Sequence, residues 1–127
     1  MTSEAILSFD RLAEIFSIDP NVRYVGVVDK NDTVVFSKKR EGVVSVNPDQ
    51  TDEEIVSTYP PLIMRAVERL EPILGDAHGV VIPYEKVLLA LYRENDLLII
   101  VSLNPVPEAP LLTLRIGDEL RKLIQSS

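Results

Sequence analysis

The chain has no cysteine among its 127 residues, which excludes disulfides, Cys-ligated metal and thiol catalysis. It has a single histidine, so imidazole chemistry would need His78 and a partner such as Asp76 or Glu85. Its five glycines are isolated from one another. Without a Gly-rich phosphate loop, nucleotide hydrolysis by this chain is not expected. Positive charge is scarce: 13 Lys and Arg stand against 20 Asp and Glu, for a net charge of −7 and a pI of about 4.7. That field opposes a phosphate backbone, so nucleic acid is not an expected partner. No apolar run approaches the ~20 residues of a membrane span. The opening "MTSEAILSFDRL" carries acids and lacks the basic start of a signal peptide. The expectation is a cytoplasmic chain forming one domain over residues 1–127.

What the sequence does have is apolar content. The mean hydropathy of +0.12 is high for a small domain this charged and points to apolar surface beyond one core, as at a subunit interface.

The patterning gives an element order. Ala5, Phe9, Leu12 and Phe16 step by four, three and four, which predicts a helix from Ser3 to Phe16. Asp19-Pro20-Asn21 ends it. "YVGVVDKNDTVVFSKKR", from Tyr24 to Arg40, reads as strand, turn and strand. Gly26 inside the first strand is expected where a crossing helix approaches the sheet. Residues 38–50 form a long connection carrying Val43, Val44 and Val46, read as a packed surface loop or a binding loop. Thr51-Asp52-Glu53-Glu54 is a capping box that starts a central helix reaching Leu74. Pro60-Pro61 is expected to break its hydrogen bonding near Thr58 and Tyr59. Ile63, Ala66 or Val67, Leu70 and Ile73 form the expected buried stripe, with Arg65, Glu68 and Arg69 facing out. Three apolar runs follow, Gly79–Ile82, Val87–Tyr92 and Leu97–Leu103, separated by turns. The last is apolar on both faces and so belongs in the middle of a sheet covered by helices on both sides. The tail from Pro110 fits both strand and helix periods, and the proline at its start and Lys122 near its end favour helix.

The chemical candidates are ordinary. "DKNDTVVFSKKRE" fails as a calcium loop, because Val34 stands where the sharp-turn glycine is needed and Arg40 where a bidentate acid belongs. Asp49, Asp52, Glu53 and Glu54 suit a helix start better than a metal. Ser37 beside Lys38, and the run Lys38-Lys39-Arg40, read as a solvated, aggregation-blocking strand end rather than a dyad or a docking patch. His78 reads as a surface group at a strand end. No acid, base and nucleophile set assembles, so no catalytic residue, metal or cofactor is expected.

The order helix, strand, strand, helix, three strands, helix resembles a known family. "VRYVGVVDKNDTVVFS" looks like the first hairpin of roadblock-type dynein light chain domains, and "HGVVIPYEKVLLALYRENDLLIIVSLNP" like their three-stranded meander. In such hairpins the turn usually carries glycine where Asp32 stands here. The resemblance implies an α+β, profilin-like fold: a five-stranded antiparallel sheet with helices on both faces. It also implies a non-catalytic homodimeric module that scaffolds or regulates a small Ras-like GTPase. The short uncharged strand Val80, Val81, Ile82 is then the expected dimer edge, with Met64, Val67 and Glu71 lying across the axis. Arg65, Glu68 and Arg69 become the expected partner surface. A second reading is a PAS-like small-molecule sensor, with a pocket between sheet and helices lined by Tyr24, Phe36, Tyr59 and Tyr92. A filled core favours the first reading and a cavity of several hundred Å³ the second.

Overall fold

Leu97–Leu103, strand β5, is buried along almost its whole length. A strand with no polar face needs neighbours on both edges and cover on both faces, and here it has all four. In this computed structural model, which describes residues 12–44 and 50–125, the order is α1 (Ile15–Ile18), β1 (Val22–Val28), β2 (Val34–Lys39), α2 (Asp52–Glu68), α3 (Glu71–Leu74), β3 (Val80–Pro83), β4 (Leu88–Glu94), β5 and α4 (Ala109–Gln125). The strands form one antiparallel sheet in the order β2-β1-β5-β4-β3. The expected architecture holds, with the short α3 as an addition.

Alternation along the central strands sorts side chains into two cores. On one face Val25, Val27, Ala90, Ile99 and Val101 pack against Leu12 and Ile15 and against Leu112, Ile116 and Leu120 of α4. On the other face Tyr24, Val28, Leu91, Leu98 and Ile100 pack against Val56 and Met64 of α2, with Ile63 and Val67 at the margin. The ambiguous tail is therefore helical. Gly117 within it lies where a Cβ would come 3.1 Å from the Tyr92 ring, and the Tyr92 hydroxyl donates to the Thr113 carbonyl at 2.6 Å. The predicted N-terminal helix falls mostly outside the described residues. Its described end reaches Ile18.

Three local expectations need correction. The assigned helix α2 runs unbroken through Pro60 and Pro61, both buried. Each proline removes an amide, and an interior proline costs ~3 kcal/mol. Three observed features act in the opposite direction. The Thr51 hydroxyl accepts from the Glu54 amide at 3.1 Å, so the helix start is capped as the sequence implied. The Thr58 hydroxyl donates back to the Glu54 carbonyl at 2.8 Å. The proline rings add apolar surface to the helix face that meets the sheet. The break comes instead at Arg69–Leu70, one turn before Pro72, whose missing amide could not have served the Glu68 carbonyl where α2 ends. Pro72 then sits in the first turn of α3. Leu70 and Ile73 are exposed rather than buried, because they fall on the same outward side of the helix as Tyr59 and Leu62 rather than on the sheet-facing side of Val56 and Met64.

Gly26 is explained by a side chain, not by a helix. A Cβ there would lie 2.6 Å from the Tyr24 hydroxyl and 2.9 Å from its ring. Tyr24 lies across Gly26 to reach Ser37, its cross-strand neighbour, with 2.8 Å between the two hydroxyl oxygens. Ser37 donates to Glu53 at 3.1 Å, so its oxygen accepts from Tyr24, and the chain of bonds ties β2 to the first turn of α2. Asp32, in the turn position that usually holds glycine, has φ +62. The Asp29 carboxylate supports that turn by accepting from the amides of Asn31 and Thr33 at 2.9 and 3.0 Å.

Gly26→Ala is expected to destabilise the fold by about 1–3 kcal/mol through overpacking against Tyr24. In a Tyr24→Leu background the same change should cost much less. Urea unfolding of the four proteins of this cycle measures the coupling, and equal costs in both backgrounds would remove the Tyr24 explanation.

Candidate functional site

Strand β3 is hydrogen-bonded in the sheet only to β4, so its other edge is open. The register pairs Val80 with Leu91 and Ile82 with Leu89, placing both side chains on the α2 face, whereas Val81 pairs with Ala90 on the α4 face and is exposed. The opposite edge, β2, ends in the exposed Lys38 and Lys39. Charge guards one edge and not the other, and an unguarded β-branched edge is a template for another chain.

Beside this edge lies an apolar stripe that the sequence reading placed elsewhere. Tyr59, Leu62, Leu70, Ile73 and Leu74 are all exposed, Leu62 by 59 % and Ile73 by 78 %. Together with Ala66 these positions step by three and four along α2 and into α3. The signal was present in the sequence as a second helical stripe, but the sheet-facing stripe of Val56, Ile63 and Val67 competes with it. Met64, expected at the dimer seam, is 1 % exposed and belongs to the core under α2, which leaves it no surface to offer. Val67 is half-buried at the margin of that core. Glu71 is held within its own chain, its carboxylate accepting from the Ala77 amide at 2.8 Å.

Of the three residues expected to face a partner, Arg65 and Arg69 are exposed and Glu68 is half-buried, and two are engaged. Arg65 pairs with Asp32 at 2.5 Å, both groups well exposed, a pair worth ~0–1 kcal/mol. Glu68 pairs with Arg93 at 3.3 Å. Arg69 is exposed and makes no ion pair among the described residues. Arg65, Glu68, Asp32 and Arg93 border a polar cleft of about 370 Å³ at the hairpin-turn end of the sheet.

Arg40 departs from the solvated strand end that the sequence suggested. It turns inward and donates to the carbonyls of Val22 and Phe16 at 2.6 Å and of Asp19 at 2.9 Å. Its guanidinium stacks 5.3 Å from the centroid of the Phe16 ring. The carbonyls at the end of α1 need donors, and Arg40 supplies them.

The four aromatic residues expected around one pocket are divided between the two faces. Phe36 and Tyr92 belong to the α4 side. Tyr24 and Tyr59 border a cleft of about 520 Å³ between α2 and the sheet. Burial pushes the Tyr24 hydroxyl up to about 12 and raises that of Tyr92 as well. Burial also raises the carboxyl of Glu94, against the opposing charge of Arg121. Among the described residues no group of His, Asp and Glu is placed to hold a metal ion, and no helix is long and apolar enough to cross a membrane.

No protein-family model matches the sequence, and no curated protein matches it in sequence. Solved structures match in fold. A Roadblock/LC7 domain from Streptomyces avermitilis superposes with a TM-score of 0.66 at 12 % identity, covering 97 % of this chain and 92 % of that one. The gliding protein MglB from Thermus thermophilus gives 0.66 at 16 % identity, with 94 % and 92 % covered. Myxococcus xanthus MglB gives 0.63 at 17 %, with 98 % and 96 % covered. The chain has the roadblock-type fold. At these identities the likeness is one of fold, and function has to be argued from the surface.

Raised tyrosine hydroxyls make a pH prediction. A hydroxyl whose folded value exceeds the unfolded value of 10.0 stabilises the fold fully below that pH, and the contribution is lost as pH rises through the folded value. Stability is expected to hold steady up to about pH 10 and to fall between about pH 10 and 12. Tyr24→Phe should flatten part of that fall in urea titrations, and an unchanged alkaline slope would contradict the assignment.

Proposed function

We propose that the chain is a non-catalytic homodimeric interaction module that regulates or scaffolds a small Ras-like GTPase. The observation that carries the assembly is the open, uncharged β3 edge lying beside the exposed stripe of Tyr59, Leu62, Leu70, Ile73 and Leu74. Val80 to Ile82 pairs antiparallel with its symmetry mate, extending the sheet across a two-fold axis, the commonest symmetry of soluble oligomers. Pro83 limits the pairing, having no amide to donate. Val67, Glu71 and the exposed stripe flank the seam and bury apolar surface there. The lysines of β2 disfavour the head-to-tail pairing of β2 on β3 that would otherwise give open filaments.

The GTPase role rests on the roadblock-type fold and on the charged outer side of α2. Of Arg65, Glu68 and Arg69, the last is the cation with no ion-pair partner among the described residues, and it is the position proposed to meet a partner.

Val81→Lys places a charge at the seam. Sedimentation at micromolar concentrations should find a dimer for the wild type and a monomer for the variant, with unchanged far-UV circular dichroism. A wild-type monomer, or an unaltered dimer in the variant, would remove this interface. For the partner, affinity capture from native cytosol should recover a GTPase with the wild type and with Val80→Thr. Arg69→Glu should weaken that capture at least tenfold. Capture that is indifferent to Arg69 would move the contact off α2.

A further inference from the structure

The cleft of about 520 Å³ falls within the ~300–1,000 Å³ typical of small-molecule sites. Its position follows from the register. Helix α2 covers β1, β2 and β5, and its first turns lie over the end of the sheet where β1 begins and β5 finishes. Leu89 and Leu91 of β4 face the same side; Leu91 packs in the core with Val56 and Met64, and Leu89, outside that core, is only half-buried. The result is an apolar slot walled by Val56, Tyr59 and Ile63 on the helix and floored by Leu89, Leu91 and Ile100 on the sheet.

The mouth of this slot is cationic. Arg23, Lys39 and Lys86 border it, from β1, β2 and the β3–β4 turn. Lys39 is the cross-strand neighbour of Tyr24, on the cleft side of the sheet. The Arg23 guanidinium is fixed by donating to the Asn104 side-chain oxygen at 2.9 Å and to the Val44 carbonyl at 3.0 Å. Both acceptors are neutral, so its charge is oriented but not balanced. None of the three cations makes an ion pair among the described residues, in contrast to Arg65, Arg93, Arg121 and Lys122, which all do. Asp52 and Glu85 also border the cleft and Glu53 acts on the Tyr24 hydroxyl within it, so the three cations exceed the two lining acids by one charge in a chain of net charge −7. An apolar slot ending in unbalanced cations is complementary to a molecule with a hydrocarbon body and one anionic end.

We propose that this cleft binds a small amphiphilic carboxylate, its hydrocarbon tail lying between α2 and strands β4 and β5 and its head group among Arg23, Lys39 and Lys86. The proposal shares Tyr59 with the stripe proposed for the dimer and does not involve Arg69: the ligand would give the interaction module a means of sensing a fatty acid or similar metabolite.

Decanoate, with decanol as its neutral counterpart, tests this by isothermal titration of the full chain. Decanoate should bind saturably at one per chain, and decanol at least tenfold more weakly. The double variant Lys39→Glu, Lys86→Glu should lose at least tenfold for decanoate while leaving decanol unchanged. Ile55→Trp, on the exposed side of the slot, and Leu89→Trp, on its floor, should each fill it and abolish binding, with far-UV circular dichroism confirming the fold of whichever is scored. Absent or non-saturable binding, equal affinity for the two probes, or indifference to charge reversal would overturn the proposal. So would a binding stoichiometry that falls as protein concentration drives dimerisation, since the cleft would then be covered by a second copy. An acidic amphipathic peptide that binds where decanoate does not would assign the cleft to a protein partner instead. Loss of decanoate binding with an intact dimer, or the converse, separates the failure of this proposal from failure of the assembly.

Discussion

Everything in this chain is arranged around a strand with no polar face. Leu97 to Leu103 cannot be solvated on either side, so it must be flanked by strands and roofed by helices above and below. The hairpin β1–β2 supplies one flank and the hairpin β4–β3 the other. Helix α4 supplies one roof and α2 the second. Each of two tyrosines rising from the sheet then needs a glycine beside it, one in a roofing helix and one in the sheet itself. Gly117 yields to Tyr92 and Gly26 to Tyr24. The two tyrosines are the large polar-tipped side chains in the cores, and each spends its hydroxyl on tying the sheet to an element beyond it: Tyr92 to α4, Tyr24 through Ser37 to Glu53 on α2.

The same constraint creates the functional surface. One helix cannot cover a five-stranded sheet, whose strands stand ~4.8 Å apart. Lying over β2, β1 and β5, α2 leaves the β4–β3 side of that face less covered, which produces the apolar cleft beside the open β3 edge. Leu70, Ile73 and Leu74 extend this exposed surface past the break at Arg69–Leu70. An edge strand, a thinly roofed sheet face and an exposed apolar helix stripe thus share one side of the molecule. The opposite edge carries lysines and the inward-turned Arg40, which seals the start of the sheet rather than offering a contact.

Element order and sheet position were legible because they depend on local periodicity and on the doubly apolar run at 97–103, which has one physical solution. The capping box at Thr51 was legible because its partners lie three residues apart. The helix through Pro60-Pro61 was not, because the buried prolines pack against a sheet assembled from segments distant in sequence. Nor was Gly26, since its reason is a ring two residues away whose direction is set by a cross-strand hydroxyl.

The amino-acid sequence by itself determined which segments are strands and helices, that β5 is central, and that the chain has more apolar surface than one core consumes. Tertiary structure alone decided which apolar residues are the surplus. Met64 and Leu70 lie in one predicted helix and are equally apolar, yet one is in the core and the other in solvent. Their difference is the side of the helix each occupies: Met64 faces the sheet, and Leu70 continues the outward stripe of Leu62 and Ala66. It likewise decided that Arg23, Lys39 and Lys86, from three separate segments, meet at the mouth of one cleft, because convergence of charge from distant positions is a property of strand register rather than of sequence spacing.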